Sequence, residues 1–600
     1  MLVVNSVSLQ TDADGVVEDQ VWRPGDFSTL HEALDHAARS RHSLTFFNGR
    51  GEVDCELSYR ELRARAMHAA RRLLGLVDIH RGDRIALVAE TRSEFVILFF
   101  ACQYAGLVPV PLPATVSLGG REQYLAQLRF LIENSQARAA FATDAFVSLL
   151  RDATVGLDLA LAGRLEDLIE QPAVDAELGA SSADEIAYVQ YTSGSTRVAR
   201  GAVITQRAVM CNLTAIIKDG LALGPDDRFF SWLPFYHDMG LVGKLLVPVA
   251  GQVPAAYLGT REFAMRPRMW LTLMDRTQAT ISFGPPFGYE LCARRLRDGD
   301  GSRFDLSHWR VAGVGAEMIR PEALASFVRA VAGSGFTGDA FVPSYGMAEV
   351  GLAISFAQRG VGVGIDQVDR NDCVKHRRAR SISTFNRERA PIRSFVDCGV
   401  PLPGIDVEVR DAGGAVLPER EIGTLWVRTD SVMQGYLNQP EATAEVLTSD
   451  GWLDTGDLGY LLDGRIFVTG REKDMIIVGG RNFWPQDLEH VAESQATVRT
   501  GDSMAFSLTD DAGERVMLLI QSRELDPDAR TKLRHTVHAH IKTEFGIDCQ
   551  VEHVDAQALP RTSSGKPSRS QARRMYAAAL YAVSLEAAAD GSGATLGPNP

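Results

Sequence analysis

Positive charge is in short supply. Lys and Arg number 62 against 76 Asp and Glu, a formal net charge of −14, which argues against a general binder of nucleic acid or of anionic membranes, since either needs a basic surface. Cysteine is sparse as well: Cys55, Cys102, Cys211, Cys292, Cys373, Cys398 and Cys549 are scattered and form no Cys-x-x-Cys pair. That pattern excludes a zinc ribbon or a disulfide framework and predicts reduced thiols in a cytoplasm. Long apolar runs are missing. The most apolar stretch, Phe95 to Cys102, falls short of the roughly 20 residues a membrane span needs. Met1 to Asp19 has neither a basic leader nor an apolar core, so no secretory signal is expected. Internal repeats are absent.

What the chain does have is size and alternation. Its 600 residues, 45% hydrophobic and 23% charged, exceed what one core organises, and two or more packed units are expected. Helical spacing over Asp26 to Arg39 and Tyr59 to Leu76 is followed by the apolar strand Arg84 to Val88, a helix from Ser93 to Ala105, and the extended Val108-Pro109-Val110. Strand and helix alternate, which predicts an α/β fold with largely parallel sheets. Gly156 to Asp184 reads as a crossover. Tyr460 to Val468 reads as a hairpin turning at Asp463-Gly464, and the main boundary is placed just after it. The expected division is 1–470, a small α+β unit over 471–586, and a tail over 587–600.

Several short stretches carry chemistry. Thr192, Ser193, Gly194, Ser195 and Thr196 follow a strand and offer hydroxyls and backbone N–H groups to phosphate oxygens. The loop lacks the Lys-Ser/Thr of a Walker A motif, and alone it is as well read as a polar turn. Trp232 to Leu241 is an apolar strand that turns into a helix through His237-Asp238; the imidazole can orient a carboxylate, or Asp238 can simply begin the helix. In Ser344 to Glu349, Tyr345 can stack on a base and Glu349 can hold Mg²⁺ against phosphates. Gly315, Ala316 and Glu317 allow close backbone approach. Asp457 suits a pair of vicinal hydroxyls, and Lys566, in a polar loop, suits a leaving pyrophosphate. Each alone is equally a turn, a strand end or an exposed base.

In this order and at these separations the stretches resemble the adenylate-forming superfamily of acyl-CoA synthetases, peptide-synthetase adenylation domains and luciferases, from Tyr59 to Lys566. His237-Asp238-Met239-Gly240, Ser344 to Glu349 and Gly480 to Glu489 most resemble fatty acyl-AMP ligases, which pass the acyl group to the phosphopantetheine arm of an acyl carrier protein. The resemblance implies a large N-terminal part of αβαβα layers with a distorted barrel, and a small mobile domain hinged near Lys473. It implies ATP and Mg²⁺, a fatty acid, and a holo carrier protein as partner. Thr192 to Thr196 then serve the phosphates, Gly315, Ala316, Glu317 and Tyr345 the adenine, with Gly346 and Met347 also binding ATP. Asp457 and Arg471 serve the ribose and nearby phosphate, Glu349 the metal, and Lys566 and His237 the chemistry. Trp232, His237 and Met239 border an acyl tunnel.

A long connection over Gly360 to Arg393 resembles that subfamily's insertion, which is held to hinder use of free CoA. It is basic, with Lys375, Arg377, Arg378, Arg380, Arg387, Arg389 and Arg393; those charges are either solvated or a contact for an acidic carrier. One departure stands out. Where the family reads Gly-x-Pro-Lys-Gly after the phosphate loop, this chain reads Arg197-Val198-Ala199-Arg200-Gly201, and lower activity is expected. Three other readings share most of these residues: an acyl-CoA synthetase, an amino-acid-activating enzyme, and a non-catalytic adenylate-binding protein.

Overall fold

The structure, a computed structural model, describes residues 22–114, 120–179, 182–192, 200–382, 391–478, 481–510, 513–522, 526–555, 558–561 and 567–577. Ser193, Gly194, Ser195, Thr196 and Lys566, the altered residues 197–199, Arg387, Arg389 and the tail 587–600 lie outside the described residues.

Two sheets rich in parallel pairs organise the first part of the chain, as the alternation of strand and helix predicts. The larger runs in the order Val400–Pro401, Ala353–Phe356, Phe341–Gly346, Val311–Val314, Ile281–Gly284, Phe229–Ser231, Ala255–Leu258, Ser43–Phe47 and Val53–Ser58. From Phe341–Gly346 to Ser43–Phe47 every pairing is parallel. The second sheet, Val108–Leu112, Arg84–Val88, Ala139–Phe141 and Leu161–Gly163, is parallel throughout. Strands buried on both faces need continuous apolar runs, and Val311–Val314 and Ile281–Gly284 are buried at every position.

The helix Ser93–Ala105 is apolar all round because it is enclosed all round. It packs on the helix Tyr59–Leu73 and on the second sheet, with only Glu94 escaping burial. It stops at Gly106, whose left-handed φ of 66° suits a residue without a side chain. The stretch read as a crossover, 156–184, differs from expectation: it supplies the edge strand Leu161–Gly163 and the helix Leu165–Ile169. Three residues are too few to show a period.

Two antiparallel units follow. The hairpin Ile186–Tyr191 and Gly201–Thr205 is joined by Gly435–Tyr436. A four-stranded sheet runs Ile405–Arg410, Gly423–Thr429, Trp452–Leu462 and Arg465–Arg471. Its last turn takes positive φ at Asp463 (50°) and Gly464 (71°), as a tight two-residue hairpin requires.

After the turn Glu472–Asp474 come the helix Pro485–Glu493, a sheet of Val498–Asp510, Gly513–Ser522 and Cys549–Val554, and the helix Pro527–Phe545. The stretch 365–396, which overlaps the expected insertion over 360–393, packs on this unit. Its strands Ile365–Asp369 and Ile392–Val396 pair antiparallel around the helix Arg370–His376. Val368, Cys373, Val374 and Phe395 share one apolar core with Ile476, Trp484, Leu488 and Phe545.

Candidate functional site

Parallel strands deliver their following loops to one edge of a sheet, and ligands bind there. The register Ala312 to Phe341 through Val314 to Pro343 sets the ends of two strands side by side. The fit leaves no room for a side chain at Gly315, where a Cβ would stand 2.7 Å from the Ser344 carbonyl oxygen. Ala316 follows with φ of 70°, a backbone state unusual for a residue with a Cβ.

These loops open on a cavity of roughly 680 Å³. Thr192, His237, Met239, Ala316, Glu317, Tyr345, Gly346, Met347, Glu349, Asp457, Arg471 and Lys473 all line it. Among the described residues, two that the sequence singled out do not. Gly315 packs behind the wall against Ser344. Trp232, 1% exposed, stacks on Phe263 at 3.7 Å between ring centroids and fills the space left by Gly284 and Gly288; its indole is core, with Met239 and His237 facing the cavity instead. Pro567, the residue after Lys566, also lines the cavity.

At the polar end, Asp457 is held from two sides. The Tyr345 hydroxyl donates to one carboxylate oxygen at 2.8 Å, and Arg471 Nε approaches the other at 3.0 Å. The pairing of Asp457 with Arg471 across the hairpin fixes that geometry. Asp457 in turn holds the guanidinium above its usual range, and burial raises the Tyr345 phenol well above its own.

A second chain of contacts reaches Glu349. Tyr436 donates to Glu349 Oε1 at 2.9 Å, and Arg200 lies over the Tyr436 ring at 5.0 Å while facing Glu445 at 3.6 Å. Burial raises the Glu349 carboxyl above the usual glutamate value. With Oε1 engaged, Oε2 is the oxygen left for a cation. Among the described residues no cluster of three or more His, Cys, Asp or Glu forms a metal cage. This donor set fits a magnesium ion that takes most of its ligands from phosphates and one from protein.

On either side of residues 193–199, Tyr191 pairs with Gly201, and Thr192 N–H donates to the Arg200 carbonyl at 2.9 Å. His237 stands at the start of the turn Asp238–Leu241, which needs glycine at 240 because a Cβ there would meet the Pro234 oxygen at 2.0 Å. Gln190 Nε2 donates to the Tyr236 carbonyl at 2.7 Å and steadies the approach to that turn. Sequence reasoning missed Gln190, Tyr436 and Arg569, all cavity-lining. Their positions are set by sheet pairing and by contacts across long stretches of chain. Arg569 bridges Glu489 at 2.7 Å and Asp474 at 3.4 Å, tying the turn Glu472–Asp474 to the helix Pro485–Glu493.

The opposite end of the cavity is apolar, walled by Ile216, Leu221, Phe283, Leu352 and Phe356. One cavity therefore carries both the Tyr345–Asp457–Arg471 cluster and a set of apolar side chains, with His237 in its lining as well.

Three of the insertion's basic residues have acidic partners among the described residues. Arg378 faces Glu421 at 3.3 Å, and Arg380 faces Asp369 and Asp372 at 2.9 and 2.6 Å. Arg393 is buried against Asp487 at 2.7 Å and lies over Trp484 at 4.1 Å. A wholly solvated loop is not what the structure contains.

Residues 34–437 match the family model described as AMP-binding enzyme. A putative acyl-CoA synthetase of Caulobacter vibrioides (strain NA1000 / CB15N) is 43% identical over 564 residues, covering 94% of this chain and 98% of the relative. The medium-chain-fatty-acid–[acyl-carrier-protein] ligase JamA of Moorena producens (strain JHB) is 31% identical, covering 91% and 95%. A solved structure from a study of fatty acyl-adenylate ligases from E. coli and L. pneumophila superposes with a TM-score of 0.89 at 44% identity, covering 94% of this chain and 100% of that one. With the cavity's residues in place beside these likenesses, the chain belongs to the AMP-binding family of adenylate-forming ligases.

Proposed function

We propose that the protein activates a fatty acid as its acyl-AMP and passes the acyl group to the phosphopantetheine thiol of an acyl carrier protein. One observation carries the first half: a single cavity joins the Tyr345–Asp457–Arg471 seat to an apolar pocket. A carboxylate oxygen attacks the α-phosphorus of ATP, the bond to the bridging oxygen breaks, and pyrophosphate leaves. Little covalent work falls to the protein; it positions the reactants and stabilises charge.

In this reading Asp457 accepts from the ribose hydroxyls and Arg471 meets the α-phosphate, while Tyr345 and the backbone at 315–317 seat the adenine. Gly346 and Met347 complete that wall. Thr192 to Thr196 close over the β- and γ-phosphates, and Lys566 stabilises the departing charge. Glu349 would hold Mg²⁺, which when bound neutralises phosphate charge. His237 orients the carboxylate, and Met239 borders the acyl chain. We read 1–470 as the adenylation domain, with 360–393 inserted, and 471–586 as a domain that swings about Lys473, all acting in the cytoplasm.

The carrier protein as acceptor is supported by the ligase JamA, whose name gives that acceptor, and by the insertion's shared core with the small domain. An acyl-CoA synthetase is the second reading, favoured by the name of the Caulobacter relative. Pyrophosphate release is measured over a panel of fatty acids, and the product is then offered to a holo carrier protein or to CoA. Acid-dependent release and transfer to the carrier are expected. Efficient acyl-CoA formation by the intact chain favours the second reading, and binding of adenylate without release leaves a non-catalytic protein.

A further inference from the structure

A lysine stands in the apolar end of the cavity where a packing argument calls for Leu or Met. Lys244 lines the cavity and is only 2% exposed. Its ammonium makes no hydrogen bond or ion pair among the described residues; its nearest partners are the faces of Phe283 and Phe229, at 3.5 and 5.1 Å from the ring centroids. Ring faces attract a cation, but each satisfies one direction, and an ammonium carries three N–H donors. Buried donors in folded proteins find acceptors. Burial pulls this amine well below the usual lysine range, with no charged neighbour contributing.

The position is built rather than incidental. Val242–Leu246 winds as a π-helical turn, closed by Val247 N–H to the Val242 carbonyl, a local rewinding that concentrates at functional sites. It brings Gly243 and Lys244 to the cavity wall on the same element as Asp238 and Met239. The Tyr257 hydroxyl pins the Lys244 carbonyl at 2.8 Å. The Phe283 ring beneath the ammonium occupies the space a side chain at 313 would need, since a Cβ on Gly313 would come within 2.0 Å of that ring. The amine lies against Phe283 among the cavity's apolar lining, so under the proposed function it faces the acyl chain rather than its reacting carboxylate.

We propose that Lys244 is a specificity-determining residue, and that the acid accepted in this pocket carries an oxygen acceptor on its chain, a hydroxyl, oxo or second carboxyl group remote from the reacting end. This rests on the proposed acid-activating function and narrows its substrate class. The amine donates to that oxygen while the rings and Leu352 pack the methylenes. A plain alkyl chain leaves the donors unmet, and a site built to hydrogen-bond a substrate oxygen discriminates strongly against the analogue lacking it.

The test uses the full chain with ATP and acids of one length: unsubstituted, hydroxylated at the chain end, oxo-substituted, and α,ω-dicarboxylic. Pyrophosphate release gives kcat/KM for each with wild type, Lys244→Met and Lys244→Gln. Wild type is expected to favour at least one oxygenated acid over the plain one by about tenfold or more. Lys244→Met should reverse that preference, and Lys244→Gln, which keeps donors, should retain part of it. The preferred arm identifies the oxygen function. Melting of the ligand-free proteins is an independent readout: Lys244→Met should melt no lower than wild type, because it removes a desolvated amine that has no acceptor. A preference that is flat, or unmoved by Lys244→Met, overturns the assignment while leaving acid activation intact, as does a lower melting temperature for that variant. No release with any acid overturns the acid-activating function itself, and the reading of Lys244 falls with it.

Discussion

Two Arg–Asp pairs, Arg471–Asp457 and Arg393–Asp487, have opposite characters. Arg471 and Asp457 meet at 3.0 Å on the wall of the cavity, with the arginine side chain 52% exposed. Arg393 and Asp487 meet at 2.7 Å in the seam between the insertion and the small domain, with the arginine 8% exposed. In the first pair attraction wins, and the guanidinium is held above its usual range. In the second, burial outweighs attraction, pulling the arginine down and pushing the Asp487 carboxyl up. The same chemical pair is governed by attraction where the arginine opens on the cavity, and by desolvation, as a structural pin, where both partners are largely buried.

The largest expected effect breaks the pin. Asp487→Ala leaves Arg393 buried without its carboxylate and should destabilise the protein by roughly 3–5 kcal/mol, read as a fall in the denaturation midpoint. A loss below about 1 kcal/mol would show that the seam admits water. At the cavity, Lys566→Ala should lower acyl-AMP formation by about a hundredfold or more with stability unchanged, the scale of removing one oriented donor; full activity removes Lys566 from the chemistry. Asp457→Ala should weaken ATP binding by roughly 1–3 kcal/mol, measured by calorimetry, with a smaller effect on melting than Asp487→Ala. An unaltered ATP dissociation constant would place the ribose elsewhere. The smallest effect belongs to Tyr345→Phe, which removes the hydroxyl from Asp457 and keeps the ring, and should weaken ATP binding by about 1 kcal/mol.

The α/β class was legible because its signals are local. Ala316, Glu317, Tyr345 and Glu349 were picked out only by the order of the stretches that carry them, and the parallel register brings those stretches to one cavity. Trp232 was misplaced because an apolar strand gives no hint of which ring faces a ligand and which packs on Phe263. Tyr436 and Gln190 were invisible, since their importance lies in Glu349 and the Tyr236 carbonyl, contacts 87 and 46 residues away in the chain. The insertion's arginines were legible as charge but not as pairs. Asp369, Asp372 and Glu421, which neutralise them, are ordinary surface acids until the hairpin folds. Lys244 was overlooked for a similar reason: one lysine among Val, Gly and Leu reads as a helix's solvent face.

The shared core of insertion and small domain also bears on synthesis of the chain. Val368, Cys373, Val374 and Phe395 find their cover in residues as late as Phe545 and Cys549, so on a ribosome they emerge well before the surface that shields them. Domains made from the N-terminus fold as they appear, and apolar surface left waiting is where nascent chains stick to one another. A chain ending near residue 470 would keep Tyr460 and Phe467 as partners for Phe395 but would lack Trp484, Leu488 and Phe545. The hairpin thus waits some 150 residues of synthesis for the last of its cover.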